Sequence, residues 1–313
     1  MQVNVKTPSR IHITLIDLNA AIGRMDGGIG LALEEPSIEL EAEESGAVTA
    51  EGPLGDRASD AAKKMLSGLG VDGGVSVKIK RGYPQHIGLG SGTQVALATS
   101  RAICELYDKK MSNWEMAKVV RRGGTSGIGI GAFDEGGFIL DGGHSTMDKK
   151  DFLPSSASKA PPPPMLARYE FPDWRVVLVI PKSRSDIHGG REVDIFQRYC
   201  PMPLNEVREV SHIVLMKVLP SIVEGDIEGF GEGIGLIQRV GFKRIEVDLQ
   251  NDAVKGLMEK CSRYAPAVGL SSFGPTIYCI TEDESQLLSA LEDEEVEVIV
   301  TRANNVGAVS RRV

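Results

Sequence analysis

Polar and apolar residues alternate over several short stretches of this chain, and each alternation predicts a β-strand. Residues 3–5, 11–15 and 37–42 show the pattern, and GVSVKIK at 74–80 keeps it throughout. Elsewhere the period lengthens to that of a helix. Residues 56–69 predict one helix; Val95, Ala98, Ala102, Ile103 and Leu106 share one face and predict a second. A third is expected around 114–121. Beyond these, 175–180 reads as a short buried strand. Leu204, Val207, Val210, Val214, Leu215 and Val218 trace a helical stripe, and Ile227, Phe230, Ile234 and Ile237 another. The pattern closes with a helix over 247–264, a strand over 276–281, an acidic helix over 283–292 and a strand over 296–301. Helices and strands mix without regular βαβ alternation, which predicts an α+β fold.

One segment interrupts the periodicity. SSASKAPPPP at 155–164 ends in four prolines, which donate no backbone hydrogen bonds and favour an extended connector. It divides the chain into expected domains of residues 1–160 and 161–313.

Composition narrows the function classes. The chain has 313 residues, 42% hydrophobic and 25% charged, which is ordinary globular usage. Its 35 Lys and Arg against 43 Asp and Glu give a net charge of −8, so no general attraction for nucleic acid or an anionic membrane is expected. A local basic pocket for a small anion stays open. No apolar run is long enough for a membrane span, and MQVNVKTPSRIHITL reads as a strand rather than a signal peptide. Cys104, Cys200, Cys261 and Cys279 lie far apart, as expected of reduced thiols in a cytoplasmic protein. His86, His144 and His212 lack ligand-spaced partners, so no metal held by protein side chains is expected.

Glycine, at 36 residues, carries the clearest chemistry. PQHIGLGSGTQ at 84–94 lies between a predicted strand and an amphipathic helix. Gly88, Gly90 and Gly92 allow close backbone approach, Ser91 and Thr93 add hydroxyls, and the helix start offers backbone N–H groups to a phosphate. The segment lacks the GK[ST] of a Walker A loop and the spacing of a dinucleotide fingerprint. On spacing alone, a tight turn without a ligand is the alternative.

The PxxxGLGSGT pattern resembles the second motif of the GHMP small-molecule kinase superfamily. TPSRIHITL near the N-terminus resembles its first motif, and GLSSFGPTIYCI at 269–280 its third. The resemblance implies an N-terminal α/β domain related to a ribosomal-protein fold and a ferredoxin-like C-terminal domain. It also implies that phosphate or substrate contacts come from Ser9, Arg10 and His12; from Gly88, Leu89, Gly90, Ser91, Gly92 and Thr93; from Ser126 and Gly127; and from Ser271, Ser272 and Gly274. Many kinases of the superfamily carry a catalytic aspartate in an SGxD segment. In GTSGIGIGA at 124–132, Gly129 stands at that place, and glycine cannot accept a proton from a substrate hydroxyl. A shifted alignment would offer Asp134 instead.

PSRIHITLIDLNAAIGRMDGGIGLAL and HGGREVDIF at 188–196, taken with the glycine motifs, are more narrowly similar to the archaeal family of β-ribofuranosylaminobenzene 5′-phosphate synthases. That resemblance implies condensation of phosphoribosyl pyrophosphate with 4-aminobenzoate or a close benzoate. Pyrophosphate and carbon dioxide are released, with substrate-bound magnesium, in methanopterin biosynthesis. A homodimer is expected. An ATP-dependent GHMP-type kinase and a non-catalytic phosphate-ligand sensor are the rival readings. Displacing pyrophosphate builds positive charge on the ribose, which a carboxylate could stabilise, while a guanidinium could grip an anionic group. Asp17 and Arg24, in LIDLNAAIGRMDGG, are the expected catalytic pair, with a surface ion pair as the alternative. His188 and Arg191, with Lys182 and Arg184, form a cationic patch suited to phosphate or carboxylate, with a solvated loop as the equal alternative.

Overall fold

The computed structural model describes residues 1–182 and 189–313. Two antiparallel-dominated sheets organise it. The first opens with β1 (Gln2–Asp17) and β2 (Arg24–Ser45), a long hairpin in which Arg10 faces Ala32 and Asp17 faces Asp26. The ladder slips between Thr7 and Ser9 and again between His12 and Thr14. Such bulges bend a strand and re-aim its side chains. After β3 (Thr49–Glu51) and α1 (Gly55–Leu69), β4 (Gly74–Arg81) pairs with the second half of β2. Next come α2 (Ser91–Leu106), α3 (Asn113–Val119) and α4 (Ile128–Asp134). Val95, Ala98, Ala102 and Ile103 of α2 are fully buried in the core beneath the sheet. β5 (Phe138–Asp141), β6 (His144–Ser145) and β7 (Met165–Tyr169) complete this part of the sheet, β5 lying on the first half of β2.

The second sheet is built from β8 (Arg175–Pro181), β9 (Ala267–Leu270), β10 (Ile277–Thr281) and β11 (Val296–Thr301), in the order β11-β8-β10-β9. Between β8 and β9 run α5 (Gly190–Tyr199), α6 (Leu204–Ile213), a π-helical turn at Val214–Val218, α7 (Leu219–Glu224), α8 (Ile227–Ile237), α9 (Gly241–Asp248) and α10 (Asp252–Cys261). α11 (Ser285–Leu291) precedes β11. The run of five apolar residues in β8 follows from its central place. Val176, Leu178 and Ile180 face a core shared with Phe230 and Ile234 of α8, whereas Val177 and Val179 face Val254, Leu257 and Leu287 of α10 and α11. A strand covered on both faces has no polar side to show.

Two expectations change. The division at 160/161 does not separate the sheets, because β7 belongs to the first sheet and so does β12 (Val309–Arg312), which pairs with β1. The proline stretch is no free linker: the Pro161 carbonyl meets His144 Nε2 at 2.8 Å, and the Pro164 carbonyl accepts from Gly142 N at 2.8 Å. The helix expected over 247–264 is two helices, since the Asn251 side chain accepts from Val254 N and starts α10 afresh.

Candidate active site

Three glycine- and serine-bearing segments, far apart in sequence, meet at one place. The His12 amide donates to Ser271 Oγ at 3.1 Å, and the Ser272 amide returns a bond to the His12 carbonyl at 2.9 Å. Ser271 Oγ in turn donates to the Gly88 carbonyl at 2.7 Å, and Thr276 Oγ1 to the Ile87 carbonyl at 2.5 Å. Arg10 closes the set: its amide donates to the Leu89 carbonyl at 3.2 Å and its guanidinium to the Gly88 carbonyl at 2.5 Å. Glycine is required twice here. Gly88 has φ +87°, and a Cβ on it would lie 2.4 Å from the Ser271 carbonyl; Gly90 has φ +81°, and a Cβ on it would lie 3.1 Å from the Arg10 guanidinium carbon. α2 therefore starts at Gly90 with no side-chain cap, leaving its first turn open to an anion.

This assembly lines a groove with two connected lobes. The outer lobe, about 430 Å³, runs along Gly88, Gly90, Ser91, Gly92 and Thr93 and the Ser155–Lys159 stretch. Six cationic side chains line it: Arg10, Arg57, Lys64, Arg121, Arg122 and Lys159. Asp60 and Glu192 are its carboxylates. In a chain of net charge −8 this concentration of cations is local, as expected of an anion site. Burial depresses the pKa of Arg10 to about 10, and burial beside Arg57 also depresses Arg122. The buried Nε of Arg122 has no protein partner.

The inner lobe, about 200 Å³, shares Arg10, Thr93, Arg122 and Ser272 with the outer one. It also shares Phe273 and Glu192 with that lobe, and adds His12, Ser126 and Gly129, the apolar Leu15 and Phe196, and Glu246. His12 is held far below its ordinary pKa, first by burial and then by Arg10 and Lys243, and its buried Nδ1 has no partner. Lys243, fully buried in α9, pairs with Glu246 and donates to the Leu270 and Ser272 carbonyls at 3.0 and 3.3 Å. It thereby ties α9 to the third glycine segment.

Among the residues expected at the site, Arg10, Gly88, Gly90, Ser91, Gly92, Thr93, Ser272 and Gly274 line the outer lobe, and His12 and Ser126 the inner. Ser271 and Leu89 are buried beneath and hold the loops together. Gly127 starts α4, its amide bound to Asp141 Oδ2 at 2.9 Å, and Ser9 is buried with its hydroxyl unpaired. Arg191 is exposed on α5 without lining either lobe, and His188 and Arg184 lie outside the described residues.

Asp17 and Arg24 do not come together. Asp17 Oδ1 accepts from the Asn19 and Ala20 amides at 2.7 and 2.9 Å, shaping the hairpin turn. Arg24 is exposed, and its guanidinium donates to the Gly142 and Gly143 carbonyls at 2.9 and 2.8 Å. Neither lines a lobe of the groove. The charged group of that segment that turns inward is Asp26, 1% exposed, whose Oδ2 meets His144 Nδ1 at 2.6 Å and Lys149 Nζ at 2.9 Å. Asp134 offers no kinase-type base either: it is tied to Asn113 and Trp114 at 2.5 and 3.1 Å, between α3 and α4. Gly129 itself faces Thr93 so closely that an added Cβ would sit 3.1 Å from Thr93 Cγ2.

Sequence reasoning missed Arg57, Lys64, Arg122, Lys159 and the Lys243–Glu246 pair. A lysine and a glutamate three apart on one helix face were the only available sign of the pair. The scattered cations carry no shared spacing.

Comparison with known proteins agrees with this architecture. The N-terminal domain of GHMP kinases matches residues 56–141, and the C-terminal domain of GHMP kinases matches residues 218–296. The phosphomevalonate kinase structure from Streptococcus pneumoniae superposes with a TM-score of 0.72 over 97% of this chain and all of that one, at 14% identity, and shares the fold. The β-ribofuranosylphenol 5′-phosphate synthase of Archaeoglobus fulgidus is 48% identical over 97% of this chain and 98% of its own. The synthase of the same name from Methanocaldococcus jannaschii is 47% identical with the same coverage. With kinase-type loops around a groove whose aspartate position is glycine, and with relatives this similar end to end, the chain belongs to the β-ribofuranosylphenol 5′-phosphate synthase family of the GHMP kinase superfamily.

Proposed function

We propose that this protein transfers a 5-phosphoribosyl group from phosphoribosyl pyrophosphate to the ring carbon of a para-substituted benzoate, releasing pyrophosphate and carbon dioxide. The observation that carries this reading is the outer lobe, where six cations and an uncapped helix start converge on a space suited to a polyanion. The relatives' name specifies a phenol product. That favours 4-hydroxybenzoate as acceptor, with 4-aminobenzoate as the close alternative. Electron donation from the para substituent makes the carboxylate-bearing carbon nucleophilic. It attacks the oxocarbenium-like ribose, and loss of carbon dioxide restores aromaticity. The protein's part is to hold two anions in register and to exclude water, which would hydrolyse the sugar.

No group of three or more His, Cys, Asp or Glu side chains able to hold a metal occurs among the described residues. Magnesium is proposed to arrive on the donor's pyrophosphate. No helix among the described residues is long and apolar enough to cross a membrane. The test is incubation with phosphoribosyl pyrophosphate, magnesium and carboxyl-labelled 4-hydroxybenzoate or 4-aminobenzoate. Labelled carbon dioxide and pyrophosphate in equal amounts are expected; ADP formed from ATP and a small alcohol would favour a kinase instead.

A further inference from the structure

We propose that Glu246 is the general base that takes the proton from the ring hydroxyl of a phenolic acceptor seated in the inner lobe. The inference rests on the transferase reading above. The inner lobe is about 200 Å³ and carries Leu15, Phe196 and Phe273 in its wall. An apolar cavity of about 150 Å³ is enough to take benzene. Its charged groups sit at two ends. Arg10, Arg122 and the carboxylate of Glu192 line the wall shared with the outer lobe, and Glu246, 3% exposed, enters from α9, away from that wall.

A para-substituted benzoate has the same two-ended character. With its carboxylate toward the arginines, the reacting carbon faces the lobe that holds the donor, and the hydroxyl is directed to Glu246. Lys243 pins the Glu246 carboxylate and is itself fixed by two carbonyls of the third glycine segment. Burial raises the proton affinity of Glu246 and Lys243 opposes it, which suits a group that must accept a proton and give it back. His12 lines the same lobe but is the poorer base: protonating it would add a third positive charge beside Arg10 and Lys243.

The step balances. The phenol proton passes to Glu246 as the oxygen's electrons move into the ring. The ring carbon bearing the carboxylate bonds to the ribose anomeric carbon, and the anomeric C–O bond breaks onto pyrophosphate. Carbon dioxide then leaves from the same ring carbon, its bonding pair restoring the ring and returning charge to the oxygen, which takes its proton back from Glu246.

The test compares 4-hydroxybenzoate with 3,5-difluoro-4-hydroxybenzoate, whose fluorines acidify the phenol so that it needs no base. E246Q is expected to lower kcat/KM for the first by roughly a hundredfold and for the second by less than about tenfold. Its affinity for pyrophosphate, measured by calorimetry, should match the unaltered enzyme. Equal losses for the two acceptors, or no loss for either, would overturn the assignment. Should E246Q fail to fold with Lys243 left unpaired, K243M/E246Q removes both charges and is expected to show the same contrast. Failure of the unaltered enzyme to convert either acceptor would overturn the transferase reading itself, before any variant is compared.

Discussion

His12 sits where two cations already stand, and its stability cost follows from that placement. Its folded pKa lies well below the ordinary 6.5, so the native state resists protonation while the unfolded chain accepts it. Stability is therefore present above pH 6.5 and is lost as pH falls below it. One pH unit into that window is worth at most about 1.4 kcal/mol. H12Q should flatten this limb: the melting-temperature difference between the unaltered protein and the variant should shift in the variant's favour from pH 7 to pH 5.5. A constant difference would show that His12 titrates normally. Asp141 works with the opposite sign. Burial raises its pKa to about 6 against the bonds from Gly143, Gly127 and Ser126, so its contribution is present below pH 3.8 and lost by about pH 6. Arg122 is the second residue that invites a measurement. Its buried Nε lacks a protein partner at the groove, and a hydrogen bond to a charged ligand is worth roughly 1.5–3 kcal/mol. R122A should weaken pyrophosphate binding about tenfold or more in calorimetry while melting near the unaltered temperature.

At the scale of elements, the periodic segments were legible and the short ones were not. GVSVKIK alternates for its full length and became β4 almost to the residue. β5 and β9 have only four residues each, too few for a period to declare itself. The three glycine segments could be found because each carries its chemistry locally. Arg57, Arg122 and Lys159 could not, because only α1, the end of α3 and the proline stretch, folded together, bring them into one groove. The same reasoning explains the failed pairing of Asp17 with Arg24. Seven residues apart, they sit at opposite feet of the β1–β2 turn, where backbone groups claim both. The break before α10 was legible in principle, since Asn followed by Asp signals a helix start. N251A should cost about 1 kcal/mol in denaturant unfolding, the usual worth of such a cap. No change would mean that α10 is held by its packing on β9 and β10 alone.

For the whole molecule, overall charge and local charge point in opposite directions. A net charge of −8 would repel pyrophosphate, and added salt would then relieve the repulsion and strengthen binding. The outer lobe predicts the reverse. The screening length shortens from about 10 Å at 0.1 M salt to about 3 Å at 1 M. Pyrophosphate affinity should therefore fall steadily between those concentrations. Affinity that rose with salt would assign control to the bulk charge and remove the groove from the argument.

β12 has a further consequence, in time rather than in space. The ladder between Val3–Lys6 and Val309–Arg312 means that the strand carrying Arg10 and His12 acquires its last neighbour from the final residues of this chain. Gln2 and Val313 are joined by backbone bonds of 3.2 and 2.8 Å. During synthesis, β1 must wait with one edge unpaired until Val309–Arg312, far downstream, has emerged. An open edge is a template for wrong partners. The strand that supplies Arg10 and His12 is thus made long before the neighbour that covers its free edge.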